Sequence, residues 1–150
     1  MKKIPCIIRK ISVDALPEER VRQGLLSHMI NDLGYPPSYL AVEKGLPRMP
    51  HLTARDRRIP KRRADIVCFA KGIHAGHGLY PLLLIECKAE ALTPKAVNQV
   101  VGYNYFLRSY FIAIANQKEI KTGWYDAVSR RYSFVSYLPS YQQLLSFIHP

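Results

Sequence analysis

The sequence predicts one α/β domain with a mixed central sheet flanked by helices. Three observations carry that expectation. The chain has 150 residues, 48% of them hydrophobic and 22% charged, which suits a single domain with its own core and lies far from disordered composition. Helical and extended patterns follow one another in the order αβββαβ, then a hairpin and a closing helix. No internal repeat, low-complexity tract or domain boundary interrupts them, so residues 1–150 read as one unit.

Taken in order, a short apolar opening from Ile4 to Ile11 precedes Pro17, a residue suited to a first helical turn. Val21, Leu25, Met29 and Leu33 then recur at helical spacing until Gly34-Tyr35-Pro36-Pro37 stops the pattern. Tyr39 to Glu43 predicts a strand, and a basic loop follows. Ala64 to Ala70 is rich in β-formers and predicts the next strand. Lys71 to Gly78, with three glycines and two histidines, predicts a connection into the strand of the stretch GLYPLLLIECKAE. Thr93-Pro94 is a helix start, with threonine as N-cap and proline at the first helical position. The helix predicted from Pro94 to Arg108 turns Val97, Val100 and Val101 inward. Tyr110 to Ala115 predicts a strand, Ile120 to Asp126 and Arg131 to Tyr137 a hairpin, and Tyr141 to His149 a terminal helix.

Charge is distributed unevenly. Lys and Arg number 22 against 11 acids, a formal net of +11. Between Arg48 and Arg63 there are seven basic residues and one acid, Asp56, a local excess of +6. A solvated loop would explain such a run; so would a phosphate-binding arm, because clustered guanidinium groups gain affinity by releasing counterions from nucleic acid.

The three cysteines, Cys6, Cys68 and Cys87, form no CxxC pair, and Cys68 and Cys87 sit in apolar runs where a reduced thiol acts as a small hydrophobe. A zinc site from Cys68, His74 and His77 would need an unusual ligand spacing. The apolar runs are too short to span a bilayer, and Lys2-Lys3 leads into a run broken at Arg9-Lys10, a poor signal peptide. The expectation is a cytoplasmic protein with no membrane partner.

Four apolar residues, Leu82 to Ile85, run directly into Glu86 and Lys88. Alternation along a strand puts Glu86 and Lys88 on one face and Cys87 on the other. If the preceding strand pairs with this one, Asp65 comes beside Glu86. Two converging carboxylates repel unless a positive charge lies between them, and oxygen ligands suit a hard cation such as Mg²⁺. Lys88 is then in reach of a water aligned for attack. A structural salt-bridge cluster, with Asp65 on Arg63 and Glu86 on Lys88 or a distant arginine, is the competing reading of the same residues. Gln99 and Tyr103, four apart, share a helix face that could bind phosphate oxygens or stack on a base.

The run Pro17-Glu18-Glu19-Arg20-Val21-Arg22-Gln23, the strand Ala64-Asp65-Ile66-Val67, the stretch Leu84-Ile85-Glu86-Cys87-Lys88-Ala89 and the Gln99…Tyr103 pair together resemble the N-terminal nuclease domain of type I restriction enzyme R subunits, within the PD-(D/E)xK nuclease superfamily. The resemblance covers about residues 15–117, leaving a hairpin and helix over 118–150. It implies a restriction-endonuclease-like αβββαβ core and Mg²⁺-dependent hydrolysis of DNA phosphodiester bonds, with Mn²⁺ as a substitute. It implies Asp65, Glu86 and Lys88 as catalytic residues. The metal ligands it implies are Asp65, Glu86, the backbone carbonyl of Cys87, and Glu19 (or Glu18) from the first helix. Gln99 and Tyr103 would contact DNA, with Arg57, Arg58, Arg62 and Arg63 gripping its backbone.

Two departures stand out. Ala64 occupies the place of the superfamily's proline and leaves the carboxylate position intact. No GxxxxGK[ST] motif is present, so the chain is expected to act free-standing or with separate restriction-modification or helicase subunits rather than as its own motor. A non-catalytic nucleic-acid-binding module retaining the fold is the alternative. A structural or protein-interaction domain would leave the arginine loop unexplained.

Overall fold

The computed structural model describes residues 2–52 and 62–149. Arg57 and Arg58 lie outside the described residues. A small hairpin of β1 (Lys3–Pro5) and β2 (Ser12–Asp14) leads into α1 (Pro17–Asn31). The main sheet then forms from β3 (Leu40–Gly45), β4 (Arg63–His74), β5 (His77–Cys87), β6 (Phe111–Ala115), β7 (Ile120–Asp126) and β8 (Arg131–Val135). Helix α2 (Pro94–Leu107) joins β5 to β6, and α3 (Tyr141–Ile148) closes the chain. The six strands lie in sequence order, and every neighbouring pair is antiparallel except β5–β6. That pair is parallel because a whole helix intervenes, giving the chain the length to return to the same end of the sheet.

Alternation along the strands splits the core into two layers. On one face, Val21, Leu26 and Met29 of α1 and Leu144 of α3 pack with Ile66, Cys68, Leu83 and Ile85. On the other, Val100, Tyr103 and Leu107 of α2 pack with Val67, Leu84, Ile112 and Ile114. Leu82 to Ile85 are fully buried because β5 is covered on both sides, which is why the stretch reads as a continuous apolar run. Thr93 caps α2 as expected, its hydroxyl accepting from the Ala96 N–H at 3.1 Å.

The sequence pattern leaves one element unassigned, and one expectation needs correction. The opening is a hairpin, closed by the Cys6 N–H donating to the Ile11 carbonyl at 2.8 Å. Its strands have three residues each, too short for alternation to register. Lys71 to Gly78 is mostly strand, and only Ala75-Gly76 remain as the turn. Gly72, at φ 72°, sits at a register irregularity between Lys71 and His74, so its glycine marks a bulge inside a strand rather than a loop. Among the described residues, no helix is long and apolar enough to cross a membrane.

All three cysteines are free and buried. Burial pushes the Cys68 thiol up to about 12 and the Cys87 thiol higher still. Since the thiolate is the reactive form, both should stay unmodified by Ellman's reagent in the folded protein and react fully after denaturation. A mixed-disulfide mass shift at either position under native conditions would contradict this placement.

Candidate active site

Pairing of Ile66 with Ile85 brings Asp65 and Glu86 together at one end of the antiparallel β4–β5 pair. The Cys87 N–H donates to Asp65 Oδ2 at 2.8 Å, which fixes the carboxylate at the mouth of the two strands. Glu86 is only 4% exposed, and among the described residues its Oε1 has no hydrogen-bond partner. Burial above all, then the hydrogen bond and negative charge of Asp65, push the Glu86 carboxyl up to about 9, while Arg62 and Lys88 pull it back. A buried carboxyl this far above its ordinary range keeps its proton at neutral pH unless a cation replaces it. Lys88 stands half-buried just beyond β5, its N–H donating to the Ala115 carbonyl at 2.8 Å and so carrying the parallel ladder one step past Cys87.

Behind this pair lies a network of charges. Pro17 opens α1 and places Glu18 and Glu19 in its first turn, where acids favour the helix dipole. Glu19 and Arg22, three apart, share a face, and both are buried. The Arg22 guanidinium donates to Glu19, through Nη1 to Asp65 Oδ1 at 3.2 Å, and through Nη2 to Glu43 Oε1 at 3.1 Å. Arg9, from the N-terminal hairpin, closes the ring: Nη1 lies 2.8 Å from Glu43 Oε2 and Nη2 3.1 Å from Glu19 Oε1. Although burial lowers both arginines, hydrogen bonds and the surrounding negative charge outweigh it and raise them above their ordinary value.

Glu19 is thus linked to Asp65 through Arg22. Among the described residues, no group of three or more His, Cys, Asp or Glu side chains is gathered in a way that could hold a metal ion; Asp65 and Glu86 stand as a pair. Cys68, His74 and His77 do not converge either. Sequence reasoning passed over Arg9, Arg22 and Glu43. The Glu19–Arg22 spacing was a usable signal. Glu43 offered none, because it reaches the cluster from a left-handed backbone, φ 53°, that a glutamate in a strand rarely adopts.

The two α2 residues differ in exposure. Gln99 is exposed, whereas Tyr103 is 4% exposed and donates its hydroxyl to the Arg62 carbonyl at 3.3 Å. The Arg62 guanidinium lies 4.5 Å from the centre of the Tyr103 ring, a cation–π contact. Burial first, then the Glu86 charge, push the Tyr103 phenol upward, which places this ring beside the acidic pair. Next to Arg62 opens a groove of about 730 Å³ lined by Arg9, Lys44, Arg48, Arg62 and Arg63 together with Glu43. The acidic pair and the basic groove thus adjoin, with Arg62 between them.

The family profile of the type I restriction enzyme R protein N terminus matches residues 17–139. No curated protein and no solved structure matches the chain. The matched span begins at the first residue of α1 and ends beyond β8, so it takes in both strands of the acidic pair, Arg22 with its three carboxylate partners, and α2, but not Arg9. By that match, the chain belongs to the type I restriction enzyme R protein N-terminal family.

Proposed function

We propose that the chain is a divalent-metal-dependent DNA nuclease of the PD-(D/E)xK type, with Asp65, Glu86 and Lys88 at its centre. Family membership gives it a restriction-nuclease-related role, with DNA and other subunits as the family's general partners. One observation carries the finer reading: the partnerless, buried Glu86 Oε1 beside the Asp65 carboxyl. A buried acceptor without a donor is costly and calls for a cation or water. Two carboxylates with the Cys87 carbonyl at the strand end are the oxygen donors that Mg²⁺ or Mn²⁺ accepts.

When bound, such an ion would polarise a phosphoryl oxygen and acidify an attacking water. The chain's own residues do the rest. Asp65 and Glu86 hold their oxygens at fixed strand ends. Lys88 supplies a positive charge next to Glu86 and stabilises charge developing at the phosphate. Arg62 and Arg63, with the groove around them, grip the backbone, and Arg57 and Arg58 are assigned to the same grip. Gln99 contacts the nucleic acid from the exposed face of α2, while buried Tyr103 acts by holding Arg62. Glu19 supports the centre through Arg22.

The test is cleavage of supercoiled plasmid and of single-stranded DNA with Mg²⁺ or Mn²⁺. Cutting that EDTA abolishes is expected. Binding without any cutting would favour the non-catalytic module instead. In parallel, replacing Arg62 and Arg63 with alanine should weaken DNA binding and flatten its salt dependence by a slope of about 0.9 for each phosphate no longer neutralised. An unchanged slope would remove both arginines from the interface.

A further inference from the structure

We infer that Arg22 is the positioning residue of the acidic centre: its guanidinium orients the Asp65 carboxylate, takes Glu19 and Glu43 as its own counter-ions, and sets how tightly Asp65 and Glu86 hold a divalent cation. The inference rests on the metal-centre reading above. Its basis is geometric. Arg22 is 8% exposed, and a buried charge persists only when paired and hydrogen-bonded. Its fork touches three carboxylates from three elements: Glu19 on α1, Glu43 on β3 and Asp65 on β4. Asp65 is gripped at both oxygens, Oδ1 by Arg22 and Oδ2 by the Cys87 N–H. Each oxygen keeps a further lone pair for a cation.

Two consequences have opposite signs. A fixed positive charge 3.2 Å from Asp65 opposes binding of a second cation there. The same contact holds the carboxylate where chemistry needs it. Removing the charge should therefore tighten cation binding and slow the reaction. A residue serving the fold alone would produce neither effect in that combination.

The experiment is calorimetric titration of MnCl₂ into the full chain, wild type, Arg22→Gln and Arg22→Lys, each first checked for folding by circular dichroism, followed by kcat and KM on DNA. Arg22→Gln should bind Mn²⁺ about tenfold more tightly. Its kcat should fall about a hundredfold from misplacement of Asp65, with KM little changed. Arg22→Lys retains the charge but not the fork, so Mn²⁺ affinity should stay near wild type while kcat recovers only in part. A folded Arg22→Gln with unchanged or weaker Mn²⁺ affinity would overturn the inference. Should that variant fail to fold, Arg22→Lys decides: wild-type kcat overturns it, and wild-type affinity with reduced kcat supports it. If the wild type binds no Mn²⁺, or Glu86→Gln binds it as well as the wild type, the metal centre itself is wrong and Arg22's role falls with it. If binding depends on Glu86 but ignores Arg22, only the present inference fails.

Discussion

Glu86→Gln is expected to raise the melting temperature of the metal-free protein and to abolish its stabilisation by Mg²⁺ or Mn²⁺. Glu86 is almost fully buried, and its carboxyl is pushed up to about 9 by burial and by Asp65. The sign follows from linkage: a carboxyl with a folded-state value above its unfolded value of 4.5 binds more protons when folded. In EDTA, the wild type should therefore be most stable in acid with respect to this group, and should lose stability as pH rises from about 4.5 toward about 9. At pH 7 the penalty is on the order of 3 kcal/mol. Glutamine fills the same space and can donate its amide to Asp65 in place of the shared proton, so the penalty and its pH dependence both disappear. Millimolar Mg²⁺ or Mn²⁺ should stabilise the wild type by mass action on the folded state and leave the variant unmoved. Thermal melts across pH, with and without the cation, read all of these. Equal stabilisation of both proteins would mean that the ion binds elsewhere.

Lys88→Ala is expected to leave DNA binding and its salt slope nearly intact while lowering cleavage by about a hundred- to a thousandfold. Its effect falls on the transition state rather than the ground state. Lys88 does not line the basic groove to which backbone binding is assigned, and it acts on the field at Glu86 from just beyond the end of β5. An interaction made only as charge develops lowers kcat and kcat/KM together. Single-turnover cleavage beside equilibrium binding makes the distinction. Cleavage at the wild-type rate would move the charge-stabilising role to another residue, with Arg62 next in line.

Much of the fold was legible in local pattern. Thr93-Pro94 announced α2, and alternation in the stretch from Leu82 to Lys88 set Glu86 apart from Cys87. Pairing of the two middle strands was inferable from the glycine-rich connection, although that connection proved to be two residues inside a longer hairpin. What escaped was non-local. Arg9 comes from a hairpin of three-residue strands, and Glu43 turns on a left-handed backbone. Arg9 pairs with Glu43, and Glu43 with Arg22, so the network joins segments far apart in the chain, which no periodicity reports. Tyr103 taught a similar lesson. Four-residue spacing put it on the same helix face as Gln99, but the fold buries it under Arg62 and leaves Gln99 alone in solvent.

The central claim is that Asp65 and Glu86 hold a catalytic divalent cation. A crystal of the full chain grown in MnCl₂, with diffraction collected near the manganese absorption edge, tests it most directly. The expected result is an anomalous peak at the Asp65 and Glu86 carboxylates, close enough for their oxygens to serve as ligands, and its loss in Glu86→Gln. A peak held instead by Glu19 and Glu43, or an Asp65–Glu86 pair that stays proton-sharing and metal-free at saturating Mn²⁺, would contradict it.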